Sequence, residues 1–266
     1  MQVYVFDNTL DGLLTAVFDS FFLHQQPEFL LAEGEQLPLF ADEPHRVVTD
    51  SGKAERVWKG LEKHLSKDGL HMITISWFSE ERSLNQPLFN FICKVFRLPA
   101  NSGIEKNASD SDVLAVRNTC RRVLHEQLRM KQFIRFQKAK DGTYLAVVSP
   151  DHNVLPIITS HFQDRFNDQP WLIYDAKRHY GYYYGVSPNP SKRGEVIRIT
   201  FEDEASVPFD LSNGKMDEAV LSENDKIFQD LWRTYFKAIC IKERMNPKKQ
   251  LSDMPRRYWK YMTEKN

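Results

Sequence analysis

The sequence contains little cysteine, and the few cysteines it has are not arranged as metal ligands. Cys93, Cys120 and Cys240 are odd in number, far apart in the chain and set among apolar residues. There is no CxxC pair and no spaced ligand cluster, which argues against a zinc ribbon or an iron–sulfur cluster in this chain. We therefore expect reduced thiols, as in a cytoplasmic protein, and we predict neither a metal nor a cofactor.

Long apolar runs and the common catalytic motifs are also missing. No stretch of roughly 18 apolar residues occurs, and the N-terminal MQVYVFDNTLDG lacks the basic and apolar regions of a signal peptide. We expect a cytoplasmic protein that is neither exported nor membrane-spanning. The sequence has no P-loop, GxGxxG, HExxH or GxSxG motif, and this disfavours an ATPase, a dehydrogenase or a zinc hydrolase.

Net charge is absent as well, but the charge is distributed unevenly. The chain has 36 Lys and Arg against 36 Asp and Glu. Residues 117–140 hold eight bases and one acid, residues 200–230 two bases and nine acids, and residues 237–266 nine bases and three acids. Any attraction to a polyanion must therefore come from local patches rather than from the whole molecule.

The first third of the chain is predicted to be mainly helical. A short β-branched and aromatic run at residues 3–6 is followed by helical spacing of apolar residues. In the turn between them Asp7 or Thr9 serves as an N-cap or, less simply, the free backbone N–H groups hold an anion. Further helices are predicted at residues 51–66, 70–78 and 84–98, with a linker at 27–44 and a loop at 99–111. We predict an N-terminal strand–helix portion at 1–82 and a main domain at 83–266, or one continuous globular unit.

The rest of the chain combines helices with strands. A helix at residues 113–128 has one apolar and one basic face, and a hairpin follows at 133–148 with Asp141 and Gly142 in its turn. A helix at 152–166, strands at 171–174, 180–184 and 196–200, and a final helix after Ser222 complete the pattern. The apolar stripe of this last helix is expected in the core. The fold class is α+β, with a mostly antiparallel sheet crossed by helices.

The C-terminal stretch, residues 241–264, interleaves basic and aromatic side chains. Phosphates attract several cations, and exposed aromatic rings can stack on bases. The predicted nucleic-acid-binding residues come from this stretch, from the basic helix and from the segment directly after that helix: Arg117, Arg121, Arg129, Lys131, Arg135, Lys242, Arg244, Arg256, Arg257 and Lys260. A solvated surface is the alternative interpretation of these bases, and Trp259 is expected to close the core.

A weaker hypothesis concerns acid–base catalysis. His161 and Asp175 lie near Lys177 and Arg178 in the sequence, and a histidine with a carboxylate can move a proton on a nucleotide. Their spacing does not bring the two side chains together, and a structural histidine is the simpler interpretation.

Several motifs in fixed order resemble one known family. They occupy residues 129–136, 150–156, 161–166, 170–173, 241–248 and 254–259. The sequence resembles a bacterial family of DNA metabolism proteins whose main domain is of unknown function, over residues 83 to the end. The resemblance implies a partnership with a DNA repair or modification protein of the radical SAM class, and similar domains occur fused to uracil-DNA glycosylase. It supplies no catalytic residue.

The sequence supports three functional hypotheses. The first is a DNA-binding accessory protein in repair or modification that acts with a radical SAM partner. The second is a nucleic-acid processing enzyme of the base-excision type that uses His161 and Asp175. The third is a protein-interaction module without DNA contact, in which the acidic segment at 202–230 binds a basic partner.

Overall fold

The computed structural model describes residues 1–187, 194–201, 208–238 and 247–262. Contacts divide the chain into two units, Met1–Leu124 and His125–Asn266. These units are defined by contacts, whereas the predicted boundary at residue 83 marks the start of a family domain. The predicted boundary therefore stays a prediction. Helix α5, Ser111–Phe133, begins in the first unit and ends in the second.

The first unit contains a small parallel sheet and four longer helices. Strand β1 (Val3–Phe6) lies between β2 (Phe29–Ala32) and β3 (His45–Arg46), and both neighbours run parallel to it. The helices are α1 (Leu10–Phe22), α2 (Ser51–His64), α3 (Lys67–Trp77) and α4 (Asn85–Arg97). Helix α1 packs on α2 and α4. The segment at 27–44 that was predicted as a linker thus contains a strand, β2, which is only four residues long.

The turn between β1 and α1 is a helix cap. The Thr9 hydroxyl accepts the Gly12 N–H at 2.9 Å, as an N-cap does. The Asp7 carboxylate accepts both the N–H and the hydroxyl of Thr9, at 3.0 and 2.7 Å, and the hydroxyl of Thr49 at 2.9 Å. A carboxylate at this turn disfavours an anion there, so the capping interpretation holds.

The second unit is built on a five-stranded sheet in the order β4-β5-β6-β7-β8. The strands are Gln137–Lys138, Tyr144–Val148, Trp171–Asp175, Tyr180–Gly185 and Glu195–Ile199. Strands β5 and β6 are parallel, and the other neighbouring pairs are antiparallel. Helix α6 (Leu155–Arg165) is the crossover that a parallel pair requires. The α+β class is confirmed, but the sheet is mixed rather than mostly antiparallel.

Two further sequence predictions need correction. The strand predicted from residue 133 starts only at Gln137, because α5 continues to Phe133; the Gly142 turn, with φ of 91°, is present. In helix α7 (Glu223–Ala238) the apolar side chains that the structure describes are exposed rather than buried, since Phe228 is 68% exposed and Ile227 and Leu231 are similarly open. Helix α8 (Pro247–Asp253) and a 3₁₀ helix (Arg256–Tyr261) end the described chain.

The core of the second unit is aromatic. Trp171 stacks on Tyr184 with ring centroids 5.5 Å apart, and Phe162 of α6 packs against Trp171. Cys93 and Cys120, both in the first unit, are buried free thiols, whereas Cys240 lies outside the described residues. Within the described ranges, no helix is long and apolar enough to cross a bilayer.

Candidate nucleic-acid interface

The buried carboxylate of Glu126, on α5, joins three separate parts of the second unit. Its oxygens accept the backbone N–H groups of Asp151 and His152 at 2.9 and 2.7 Å. They also accept the Tyr258 hydroxyl at 2.7 Å and a guanidinium N–H of Arg257 at 3.3 Å. Because several donors surround it, this carboxylate is stable away from water. We call Glu126, Asp151, Arg257 and Tyr258 the Glu126 cluster.

Arg257 and Tyr258 complete this cluster from the C-terminal side. The Arg257 guanidinium donates to the Tyr258 oxygen at 2.7 Å and lies 2.8 Å from the Asp151 carboxylate. Burial, followed by the bond to Glu126, raises the pKa of Tyr258 to about 12. The phenol therefore keeps its proton at neutral pH and remains a donor. Arg257 is half-exposed and is tied up by these partners, so it is mainly a structural cation.

A second set of contacts joins the end of α5 to the C-terminal segment. The Arg129 guanidinium donates to the Ser252 carbonyl at 3.1 Å. The rings of Phe133 and Tyr258 lie 6.1 Å apart. The basic end of α5 and the C-terminal basic segment, which are distant in sequence, are therefore neighbours in the second unit.

The 3₁₀ helix presents cations beside aromatic rings. The Arg256 guanidinium lies over the Trp259 ring, 5.9 Å from its centroid, and the Lys260 ammonium lies over Tyr261 at 4.5 Å. Both cations are exposed. Trp259 is partly buried, and its indole N–H donates to the Met254 carbonyl at 3.0 Å. Tyr258, not Trp259, is the buried aromatic residue of this segment, which corrects the expectation that Trp259 closes the core.

The two catalytic candidates have different neighbours. Burial lowers the pKa of His161, and the charges of Lys131 and Arg165 lower it further. Asp175 is fully buried at the end of β6, where its carboxylate accepts a guanidinium N–H of Arg178 at 2.8 Å. Among the described residues no hydrogen bond joins His161 to Asp175, and neither group is a cause of the other's pKa shift; their catalytic role stays a prediction.

Asp175 instead organises the loops that come after the two parallel strands. Its carboxylate accepts the Lys177 N–H at 2.9 Å, and burial raises its pKa while the bonds to Arg178 oppose this. Arg178 also donates to the carbonyls of Pro150 and Asp151 at 3.1 and 2.8 Å. The loop after β5 is thereby held against the loop after β6, next to the Glu126 cluster.

The remaining predicted residues lie in different settings. Arg117, in the first unit, donates to the Glu105 carbonyl at 2.6 Å, and Arg121 is exposed on α5. Arg135 donates to the carbonyls of Gln132 and Ile134 at 2.9 and 3.3 Å. Lys242 and Arg244 lie outside the described residues. Their role in binding nucleic acid stays a prediction.

Sequence reasoning did not single out Glu126 as the centre of the site. The signal that would have found it is its isolation, since it is the one acid among the eight bases of residues 117–140. In the part of the chain that the structure describes, no three His, Cys, Asp or Glu side chains come together as metal ligands.

The chain was compared with known protein families and with curated proteins. The family model for a domain of unknown function, DUF4130, matches residues 83–264. The match spans α4 and everything after it, including the Glu126 cluster and the 3₁₀ helix. No curated protein matches the chain.

Proposed function

We propose that this chain, which belongs to the DUF4130 family, binds DNA as an accessory protein in DNA repair or modification. The proposed surface consists of residues 125–136, at the end of α5, and residues 247–262, which include α8 and the 3₁₀ helix. The observation that supports it most directly is the contact between Arg129 and Ser252, because it makes two basic segments neighbours.

The charge of this surface suits a polyanion. Residues 125–136 and 247–262 together contain eight Lys and Arg and two acids. One acid, Glu126, is buried among donors, and the other, Asp253, pairs with Lys249 at 3.0 Å. The surface is therefore strongly cationic, and each phosphate that it neutralises releases counterions, which favours binding.

The aromatic side chains give a second reason to propose nucleic acid rather than a generic anion. Trp259 and Tyr261 are partly exposed beside Arg256 and Lys260. A ring next to a cation can stack on an unpaired base while the cation contacts the adjoining phosphate. A small inorganic anion would use only the cations.

The accessory role rests on the resemblance to DNA metabolism proteins and on the different partners of the two catalytic candidates. If the chemistry is supplied by a partner, a radical SAM protein is the one that the resemblance implies, with uracil-DNA glycosylase as another associated activity. The separate surroundings of His161 and Asp175 favour this role over an enzyme that uses that pair.

A salt-dependent DNA titration tests the proposal. Fluorescence anisotropy of labelled single-stranded and duplex oligonucleotides is measured at several salt concentrations with the wild-type chain, Arg256→Glu and Lys260→Glu. Each lost phosphate contact should reduce the slope of log K against log salt by about 0.9 on duplex DNA or about 0.7 on single strands. Lys63→Glu, an exposed lysine on α2 of the first unit, is the matched charge control and should bind like the wild type.

Stacking is tested separately with Trp259→Ala. We expect single-strand affinity to fall by about 1–3 kcal/mol with little change of salt slope, because the ring carries no charge. Absent or salt-independent binding by the wild type would remove the proposal. If the chain instead co-purified with the radical SAM protein and had no DNA affinity, the protein-interaction hypothesis would replace it.

A further inference from the structure

The loop between β2 and β3 exposes large apolar side chains in a run of five residues, Gln-Leu-Pro-Leu-Phe at 36–40. Leu39 is 96% exposed, Phe40 87% and Leu37 47%. Single exposed hydrophobic residues are ordinary on a protein surface, but three in one short loop form a patch that marks an interaction site. The loop lies outside the residues that match the family model.

The loop is held in a way that presents these side chains. The Ala41 N–H donates to the Pro38 carbonyl at 3.1 Å, so Leu39 and Phe40 are the central residues of a turn. At the loop's start, a carboxylate oxygen of Glu35 accepts the Ala32 N–H at 2.7 Å. Proline fixes one backbone angle of the segment, which lowers the entropy lost on binding.

The other end of the loop is attached to the N-terminal residue and, through β3, to β1. The Asp42 N–H donates to the Met1 carbonyl at 3.2 Å, and β3 then pairs with β1. Both ends of the loop are therefore attached to the small sheet of the first unit. Its tip projects two apolar side chains into solvent, and a partner's groove can receive them.

The charges around the loop indicate which charged residues should border a complementary groove. Residues 25–44 contain no Lys or Arg but include five acids. Asp42 pairs with the N-terminal ammonium at 2.6 Å and Glu35 lies 3.8 Å from Arg82, which leaves Glu28, Glu33 and Glu43 for a partner. An apolar groove bordered by Lys and Arg would complement this segment, whereas an acidic rim would repel it. The exposed Gln36 adds an amide that can both donate and accept, which fixes the register of a bound peptide.

We propose that residues 36–40 are a docking peptide that inserts Leu39 and Phe40 into an apolar, basic-rimmed groove on a second protein that is itself bound to DNA. A few buried anchors dominate such contacts, and here they are the Leu and Phe at the turn. The choice of a DNA-bound partner rests on the proposed function. The peptide contact itself does not involve the basic surface of the second unit.

The probe for this inference is the bacterial DNA sliding clamp, a ring that encircles DNA and has apolar surface grooves for short peptides. Binding of the full chain to the clamp is measured by calorimetry without DNA, and a synthetic peptide of residues 33–43 serves as competitor. We expect saturable binding that the peptide displaces, and about tenfold or greater weakening by Leu39→Ala and by Phe40→Ala. Phe22→Ala is the matched control, because Phe22 is 72% exposed in the same unit but lies outside the loop.

The outcomes separate this inference from the DNA-binding proposal. Thermal melting should be the same for the wild type, Leu39→Ala and Phe40→Ala, since these two side chains are almost fully exposed. No saturable clamp binding, or wild-type affinity in Leu39→Ala and Phe40→Ala, would overturn the inference, as would self-association of the chain that Phe40→Ala abolishes. If the loop variants lose clamp binding while their DNA anisotropy is unchanged, the docking inference is supported. If the wild type binds the clamp but does not bind DNA, only the proposed DNA-binding function is contradicted.

Discussion

Removing one oxygen atom from Tyr258 should measurably destabilise the second unit. The hydroxyl donates to Glu126 at 2.7 Å and accepts from Arg257 at 2.7 Å, and the residue is buried. A hydrogen bond to a charged group contributes about 1.5–3 kcal/mol, and the backbone donors to Glu126 remain in place. Tyr258→Phe should therefore lose about 2 kcal/mol of unfolding free energy, which lowers the melting temperature by roughly 4–8 °C in a chain of this size.

The same substitution should have a pH signature. The pKa of Tyr258 is raised to about 12, whereas the phenol has a pKa of about 10 in the unfolded chain. Between these values the folded state binds more protons than the unfolded state, so stability falls as pH rises, by about 1.4 kcal/mol per pH unit. The Tyr258→Phe variant has no phenol at this position, so its stability does not show this fall with pH. The stability difference between wild type and variant should therefore shrink as pH rises above 10.

Urea unfolding followed by circular dichroism and tryptophan fluorescence at neutral pH and at several alkaline pH values measures both effects. The control is Tyr261→Phe, because the Tyr261 hydroxyl donates to a neutral acceptor, the Leu211 carbonyl, at 3.2 Å. It should lose only about 0.5–1.5 kcal/mol. A Tyr258→Phe variant as stable as the wild type, or a difference independent of pH, would refute the role assigned to the Glu126 cluster.

Shifted pKa values lead to two further predictions. Burial and the charge of Lys131 lower the pKa of His161, so Lys131→Met should raise it, as an NMR titration of the imidazole protons would show; an unchanged titration would contradict the assigned proximity. Burial raises the pKa of the Cys93 thiol to about 11, so iodoacetamide should modify it near pH 8 only slowly in the folded chain and quickly in urea, and rapid native labelling would contradict its burial.

Short-range patterns in the sequence predicted the elements that local chemistry specifies. The strands predicted at 171–174 and 180–184 and the Gly142 turn were correct because alternation and turn residues act over a few positions. Strand β2 escaped detection because four residues carry too little pattern, and only pairing with β1 identifies it. The parallel pairing of β5 with β6 is likewise set by the crossover helix and not by either strand's own sequence.

The helix–strand boundary near Phe133 shows a different limit. An alternating segment can continue a helix when its apolar side chains find partners there, and Phe133 packs near Tyr258 of the C-terminal segment. That partner lies far away in the sequence, so local spacing could not predict it. Helix α7 is the converse case: helical spacing correctly predicted the helix but not the exposure of Ile227, Phe228 and Leu231.

In this site, motif residues from distant parts of the sequence form a buried cluster, and that cluster positions the exposed cations. Glu126 receives donors from the loop after β5 and from the 3₁₀ helix, so the motif residues around 151 and 258 meet at one buried carboxylate. That cluster holds the 3₁₀ helix, and with it Arg256 and Lys260, beside the end of α5. If the exposed cations bind phosphate, Tyr258→Phe should weaken DNA binding without removing any cation and without reducing the number of counterions released. A loss of affinity at constant salt slope would show that the phenol positions the 3₁₀ helix while the same phosphate contacts still form, whereas a reduced slope would mean that a phosphate contact is lost together with the hydroxyl.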